Sequence, residues 1–129
     1  MASPNLRALE EAFAAFNRRD LDAAAAMFAE DAEWVAYMSA LESDVYRGRD
    51  AIRRMWEEFH ERFAGFRAHV VELVERGEYV VAVVEYTGAG AASRAPVAAT
   101  VAHLIRFRDG RAVHVRGFPD KEAALRATG

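Results

Sequence analysis

At Phe66 the hydrophobic period of this chain changes, and that change constrains the fold more than any other feature of the sequence. Upstream, apolar residues recur three and four positions apart. Leu6, Leu9, Phe13 and Phe16 form one helical stripe, and Ile52, Met55, Trp56, Phe59 and Phe63 form another. Downstream the period is two. FRAHVVELVER, Gly77-Glu78 and YVVAVVEYTGAG read as one hairpin, and PVAATVAHLIRF, Asp109-Gly110 and RAVHVRGF as a second. Helices followed by long alternating strands predict an α+β domain with its helices on one face of an antiparallel sheet.

Local signals fill in the order. Ser3-Pro4 is an N-cap followed by proline at the first helical position, and Arg18-Arg19 ends that helix with charges suited to its C-terminus. Asp20 caps a second helix read over LDAAAAMFAED, and EWVAYM is a first strand. SALESDVYRG is a loop long enough to rim a pocket, and a third helix begins near Gly48 to Asp50. The tail DKEAALRATG is either a short helix or a frayed end. Neither a repeat nor a linker interrupts residues 1–129, which are expected to form a single domain.

Composition removes several classes of function. The apolar share of 53% suits a soluble globular chain, and the apolar runs fall well short of the roughly 18–20 residues that span a bilayer. No membrane association is expected. The N-terminus lacks the basic-then-apolar layout of a signal peptide, and with no cysteine a cytoplasmic protein is the simplest expectation. Seventeen basic residues lie scattered among twenty acids, for a net charge of −3, so no nucleic-acid partner is expected. His60, His69, His103 and His114 show no H-x-H or H-E-x-x-H spacing, so no metal is expected. No glycine-rich phosphate loop follows a strand and no G-x-S-x-G elbow occurs, so neither a nucleotide cofactor nor serine hydrolysis is expected.

The strand faces place one polar residue inside. Val97, Ala99, Val101, His103, Ile105 and Phe107 share a face that is apolar except for His103, and this face should meet the helices. The opposite face mixes Val81, Val83, Ala102 and Leu104 with Glu85, Arg106 and Arg116. A monomer would leave that mixture wet, so a homodimer through the outer sheet face is expected.

FNRRDLDAAAAMFAEDAEW, YRGRDAIRRMW and HLIRFRDGRAVHVRGF, taken in order, resemble the SnoaL-like branch of the nuclear transport factor 2-like superfamily, which includes ketosteroid isomerase. The resemblance spans nearly the whole chain. It rests on a D-A-x-W entry to the first strand, an x-G-x-x-A-I opening of the third helix and an F-R-D-G hairpin. It implies a cystatin-like cone, in which a curved antiparallel sheet packs on three N-terminal helices, with a pocket at the open end and usually a dimer. Ketosteroid isomerase's carboxylate base, oxyanion tyrosine and protonated aspartic acid fall here on Ala36, Ala12 and His103. SnoaL-type cyclases resemble the chain at their pocket histidine, which matches His103, whereas their acid/base aspartate falls on Gly117.

The candidate catalytic residues are therefore His103 and Tyr86. In apolar surroundings the imidazole stays neutral, able to donate to a developing oxyanion or to accept a proton. Tyr86 shares the parity of Ala82 and Val84, so its hydroxyl can reach the cavity or orient His103. Phe28, Trp34, Met38, Trp56, Phe59, Phe63, Val101 and Val115 are read as the wall of a pocket for a hydrophobic small molecule. Glu42 and Asp44, in the loop, can supply the missing carboxylate. Two readings stay open: a cofactor-free enzyme transferring protons on a hydrophobic carbonyl compound, by isomerisation, cyclisation or dehydration, and a non-catalytic ligand-binding or dimeric interaction module.

Overall fold

A computed structural model of the chain describes residues 3–36, 45–90 and 92–128. Helix α1 (Pro4–Asn17) begins at the expected signal. The Leu6 amide donates to the Ser3 hydroxyl at 3.1 Å, and Pro4 occupies a position where no backbone donor is lost. Its stripe buries Leu9, Ala12, Ala15 and Phe16. Arg19 turns the chain with a positive φ of 64°, and Asp20 caps α2 (Leu21–Ala25) by accepting from the Ala23 amide.

The second helix is shorter than its alanine content predicts, and β1 (Phe28–Val35) begins where the helix was expected to continue. Phe28 aligns with Ala112, the Ala112 amide donates to the Met27 carbonyl at 3.0 Å, and the Phe28 side chain is fully buried. Helix propensity differs by a few tenths of a kcal/mol per residue, whereas burying a phenylalanine stabilises by about 1.5–3 kcal/mol. The sheet therefore wins.

A short strand, β2 (Val45–Arg47), follows within the stretch read as loop, and sets Tyr46 opposite Trp34. Then come α3 (Arg49–Arg62), β3 (Phe63–Arg76), β4 (Tyr79–Gly90), β5 (Pro96–Arg108), β6 (Arg111–Phe118) and α4 (Lys121–Arg126). Phe63, expected to close the helical stripe, opens β3 instead. Met38, Glu42 and Asp44 lie outside the described residues.

The six strands lie in the order β2-β1-β6-β5-β4-β3. The sheet is antiparallel, as expected, except that β1 and β6 run parallel. These two strands are joined through almost the whole chain, so no hairpin dictates their relative direction. Register shifts at Phe28/Glu33, Ala64/Arg67, Val70/Glu72 and Arg106/Phe107 bend the strands. The curved sheet wraps α1, α2 and α3, with Leu9, Phe28, Ile52, Val80, Val84 and Val115 at the centre of the core.

The tail folds as a fourth helix, capped by Asp120, which accepts from the Ala123 amide at 2.8 Å. It packs on the outer sheet face. Ala124 is fully buried against Val81, Ala102 and Leu104, with Leu125 and Phe118 around them. Much of the apolar surface that suggested a dimer is thus covered by the chain itself. At the free edge of β3, Asn17 acts as a substitute strand. Its amide nitrogen donates to the Ala68 carbonyl and its oxygen accepts from the Ala68 amide, both at 2.8 Å.

Candidate functional site

Alternation on β4 and β5 turns Ala82, Val84 and Tyr86, and Ala99, Val101 and His103, toward the helices. Tyr86 pairs with Ala99 and His103 with Ala82, so the Val84–Val101 pair separates them along the ladder. The two long side chains lean across that pair until the tyrosine oxygen and His103 Nε2 are 2.7 Å apart. Phe66 stacks on the Tyr86 ring, with centroids 5.6 Å apart and planes 9° from parallel, and Trp34 meets His103 edge-on at 5.1 Å. Three aromatic contacts, counting the tyrosine's own against the histidine, hold the pair in place.

Both groups are neutral. His103 is 5% exposed, and burial lowers its pKa from 6.5 to about 4, because an imidazolium there would lose its hydration. Burial likewise raises the Tyr86 phenol beyond its usual range. His103 Nδ1 is buried without a hydrogen-bond partner. If the phenol donated to Nε2, the imidazole proton would sit on that orphaned nitrogen. With the proton on Nε2, the imidazole donates to the phenol oxygen and Nδ1 is left as a bare acceptor. This second tautomer exchanges the orphaned N–H for a tyrosine O–H that has no acceptor until a ligand supplies one.

The pair stands at the junction of two apolar lobes. The outer lobe, about 280 Å³, is lined by Met55, Phe59, Phe63, Phe66, Val97 and Val101 among others, with Ala36 at its rim. The inner lobe, about 30 Å³, is lined by Leu9, Ala12, Phe13, Met27, Phe28 and Val115 together with Ile105. Phe16, Trp34, Trp56, Tyr86 and His103 border both.

The wall residues expected from the sequence divide between the lobes. Phe59, Phe63 and Val101 face the outer one, Phe28 and Val115 the inner one, and Trp34 and Trp56 both. Phe16, Phe66 and Met55 were missed as wall residues. Phe16 and Met55 lie on the helical stripes, where periodicity alone cannot separate wall from core, and Phe66 has the inward parity of Ala68. Gly117 is the cross-strand partner of His103, so no side chain from β6 supplies an acid at that pair. No carboxylate lines either lobe among the described residues.

His60 does not join the site. It is buried against Phe16, 4.6 Å between ring centroids, and Phe66, with neither ring nitrogen hydrogen-bonded. Among the described residues no group of acidic or histidine side chains is placed to hold a metal, and no helix is long and apolar enough to cross a membrane.

A curved sheet wrapped on helices around an apolar two-lobed cavity, with a neutral hydroxyl–imidazole pair at its waist, defines a cone-shaped pocket domain. Residues 9–115 match the SnoaL-like domain, and the chain belongs to that family. Among solved structures it is similar to a nuclear transport factor 2-like protein from Burkholderia thailandensis, at 26% identity and a TM-score of 0.79, covering 100% of this chain and 99% of that one. It is also similar to TerC, co-crystallised with polyporic acid, at 23% identity and a TM-score of 0.78, covering 96% and 97% of the two chains. A candidate polyketide cyclase from Sinorhizobium meliloti matches at 24% identity and a TM-score of 0.69, covering 87% and 94%. No curated protein matches the sequence.

Proposed function

We propose that the cavity binds a hydrophobic carbonyl compound and that the protein catalyses cofactor-free proton transfer on it, as isomerisation, cyclisation or dehydration. The observation that carries this reading is the 2.7 Å Tyr86–His103 contact in an otherwise apolar cavity. Tyr86 donates its O–H to the carbonyl oxygen. His103 Nε2–H donates to the phenol oxygen and stabilises the charge that develops there as a water or buffer base in the outer lobe takes the α-proton and the carbonyl becomes an enolate. Neither group need change its charge before the ligand arrives, so water exclusion strengthens both hydrogen bonds. With a pKa of about 4, His103 is a weak base, which makes the pair the electrophilic half of the site. That TerC was co-crystallised with polyporic acid supports a small-molecule pocket in this fold.

The second reading, a binding protein without chemistry, is favoured by one observation: no carboxylate faces the cavity among the described residues. Proton exchange separates the two. Propiophenone in deuterated buffer is expected to exchange its α-protons faster with the protein than without it. Tyr86→Phe and His103→Ala should each reduce that rate by about 10²-fold, with circular dichroism unchanged. Binding without exchange would establish the second reading.

A homodimer belongs to the same proposal. The half of the outer sheet face that α4 leaves open carries Glu85 and Thr100, both exposed, whereas Arg116, exposed beside Leu104, lies toward α4. Across a two-fold axis, Glu85 of one copy meets an arginine of the other.

A further inference from the structure

We propose that the inner lobe is a dry alkyl subsite behind the Tyr86–His103 pair, with Ala12 setting its length. The subsite deepens the carbonyl reading, and rests on it for the identity of the ligand. The lobe's lining is apolar apart from Tyr86 and His103: Leu9, Ala12, Phe13, Met27, Ile105 and Val115 line it. An ordered water needs two to four polar partners, which this apolar lining does not offer away from Tyr86 and His103. At about 30 Å³ it has room for about two water-sized groups, the size of a two-carbon chain.

The lobe exists because α1 presents Ala12 where its neighbours on the same stripe are Leu9, Phe13 and Phe16. A longer side chain at that one position fills the space. Because Phe16, Trp34, Trp56, Tyr86 and His103 border both lobes, a carbonyl held by the pair can send one substituent into each. The wide outer lobe takes an aryl or other ring body, and the inner lobe takes a short alkyl group. The ligand class is thus a ketone bearing a ring on one side and a chain of about two carbons on the other.

Aryl alkyl ketones and xenon test this separately from the carbonyl reading. Affinity, measured by calorimetry, should rise about fourfold per added methylene from acetophenone to propiophenone, and stop rising once the chain outgrows the lobe. In Ala12→Leu, with Ala12→Val as the milder variant should leucine impair folding, propiophenone should bind no more tightly than acetophenone. Xenon, which needs no hydrogen-bonding partner, should shift the methyl resonances of Met27, Ile105 and Val115 in the unaltered protein and not in the Ala12 variant. Absence of those xenon shifts, or an alkyl gain that persists in the Ala12 variants, would overturn the subsite. Xenon contact without any ketone binding would uphold the subsite and remove the carbonyl reading.

Discussion

His103 shows how one buried residue links stability to function. Its pKa is depressed on folding, so the unfolded chain binds the proton more tightly than the native one. Stability is therefore greatest above the ordinary imidazole pKa and falls as pH drops through 6.5 toward about 4, where the loss is complete. Between pH 7 and about pH 5 the loss from this residue should be about 2 kcal/mol. His60 adds to it in the same direction, its pKa lowered first by burial and then by Arg19, against a smaller opposing effect of the Phe16 backbone. Urea midpoints of the unaltered protein and His103→Leu across that range isolate the residue. The variant should lose less stability on acidification, and parallel curves would show that His103 does not titrate as its burial requires. The inward placement of His103 was legible from alternation alone, since a one-residue slip would expose Ile105 and Phe107 as well. Parity also put Tyr86 in reach of the cavity or of His103, but did not decide which of the two it meets, because side-chain lean across a two-residue diagonal depends on the packing of Phe66 and Trp34.

Among the elements, α1 is tied to the backbone of the sheet edge through the side chain of Asn17. Asn17 satisfies both main-chain groups of Ala68 on the edge strand β3. Asn17→Ala removes two hydrogen bonds from a partly buried position and should destabilise by about 2 kcal/mol. Chemical denaturation measures that directly, and a change within about 0.5 kcal/mol would mean that water replaces the amide without cost. Helix starts were legible in the sequence because their caps are local: Ser3 and Asp20 each bond an amide three residues on. The end of α2 was not. AAMF reads as helix on propensity, and only the arrival of β6 some eighty residues later makes strand the better state for Phe28.

At the scale of the whole molecule, α4 changes what the outer face offers. Val81, Ala102 and Leu104 would be wet without it, and with it they are nine-tenths buried or more. The proposed dimer therefore rests on the charged half of the face. Multi-angle light scattering at micromolar concentration is expected to give twice the chain mass. Glu85→Arg should restore monomer by setting like charges across the two-fold, and raised salt should weaken the dimer of the unaltered chain. A single-chain mass for the unaltered protein would remove the dimer. The mixed face was visible in the sequence, but its cover was not, since the tail could be read either as helix or as fraying.

The sequence by itself determined the α+β class, the inward face of the sheet, the two stripes that meet it and the presence of one imidazole among apolar neighbours. These follow from periodicity and caps, whose physics acts within a few residues. Tertiary structure alone decided the parallel pairing of β1 with β6, the covering of the outer face by α4, the 2.7 Å contact between Tyr86 and His103, and the division of the cavity into two lobes. Each of these depends on how segments far apart in the chain fill one space, where the outcome is set by shape and burial rather than by local preference.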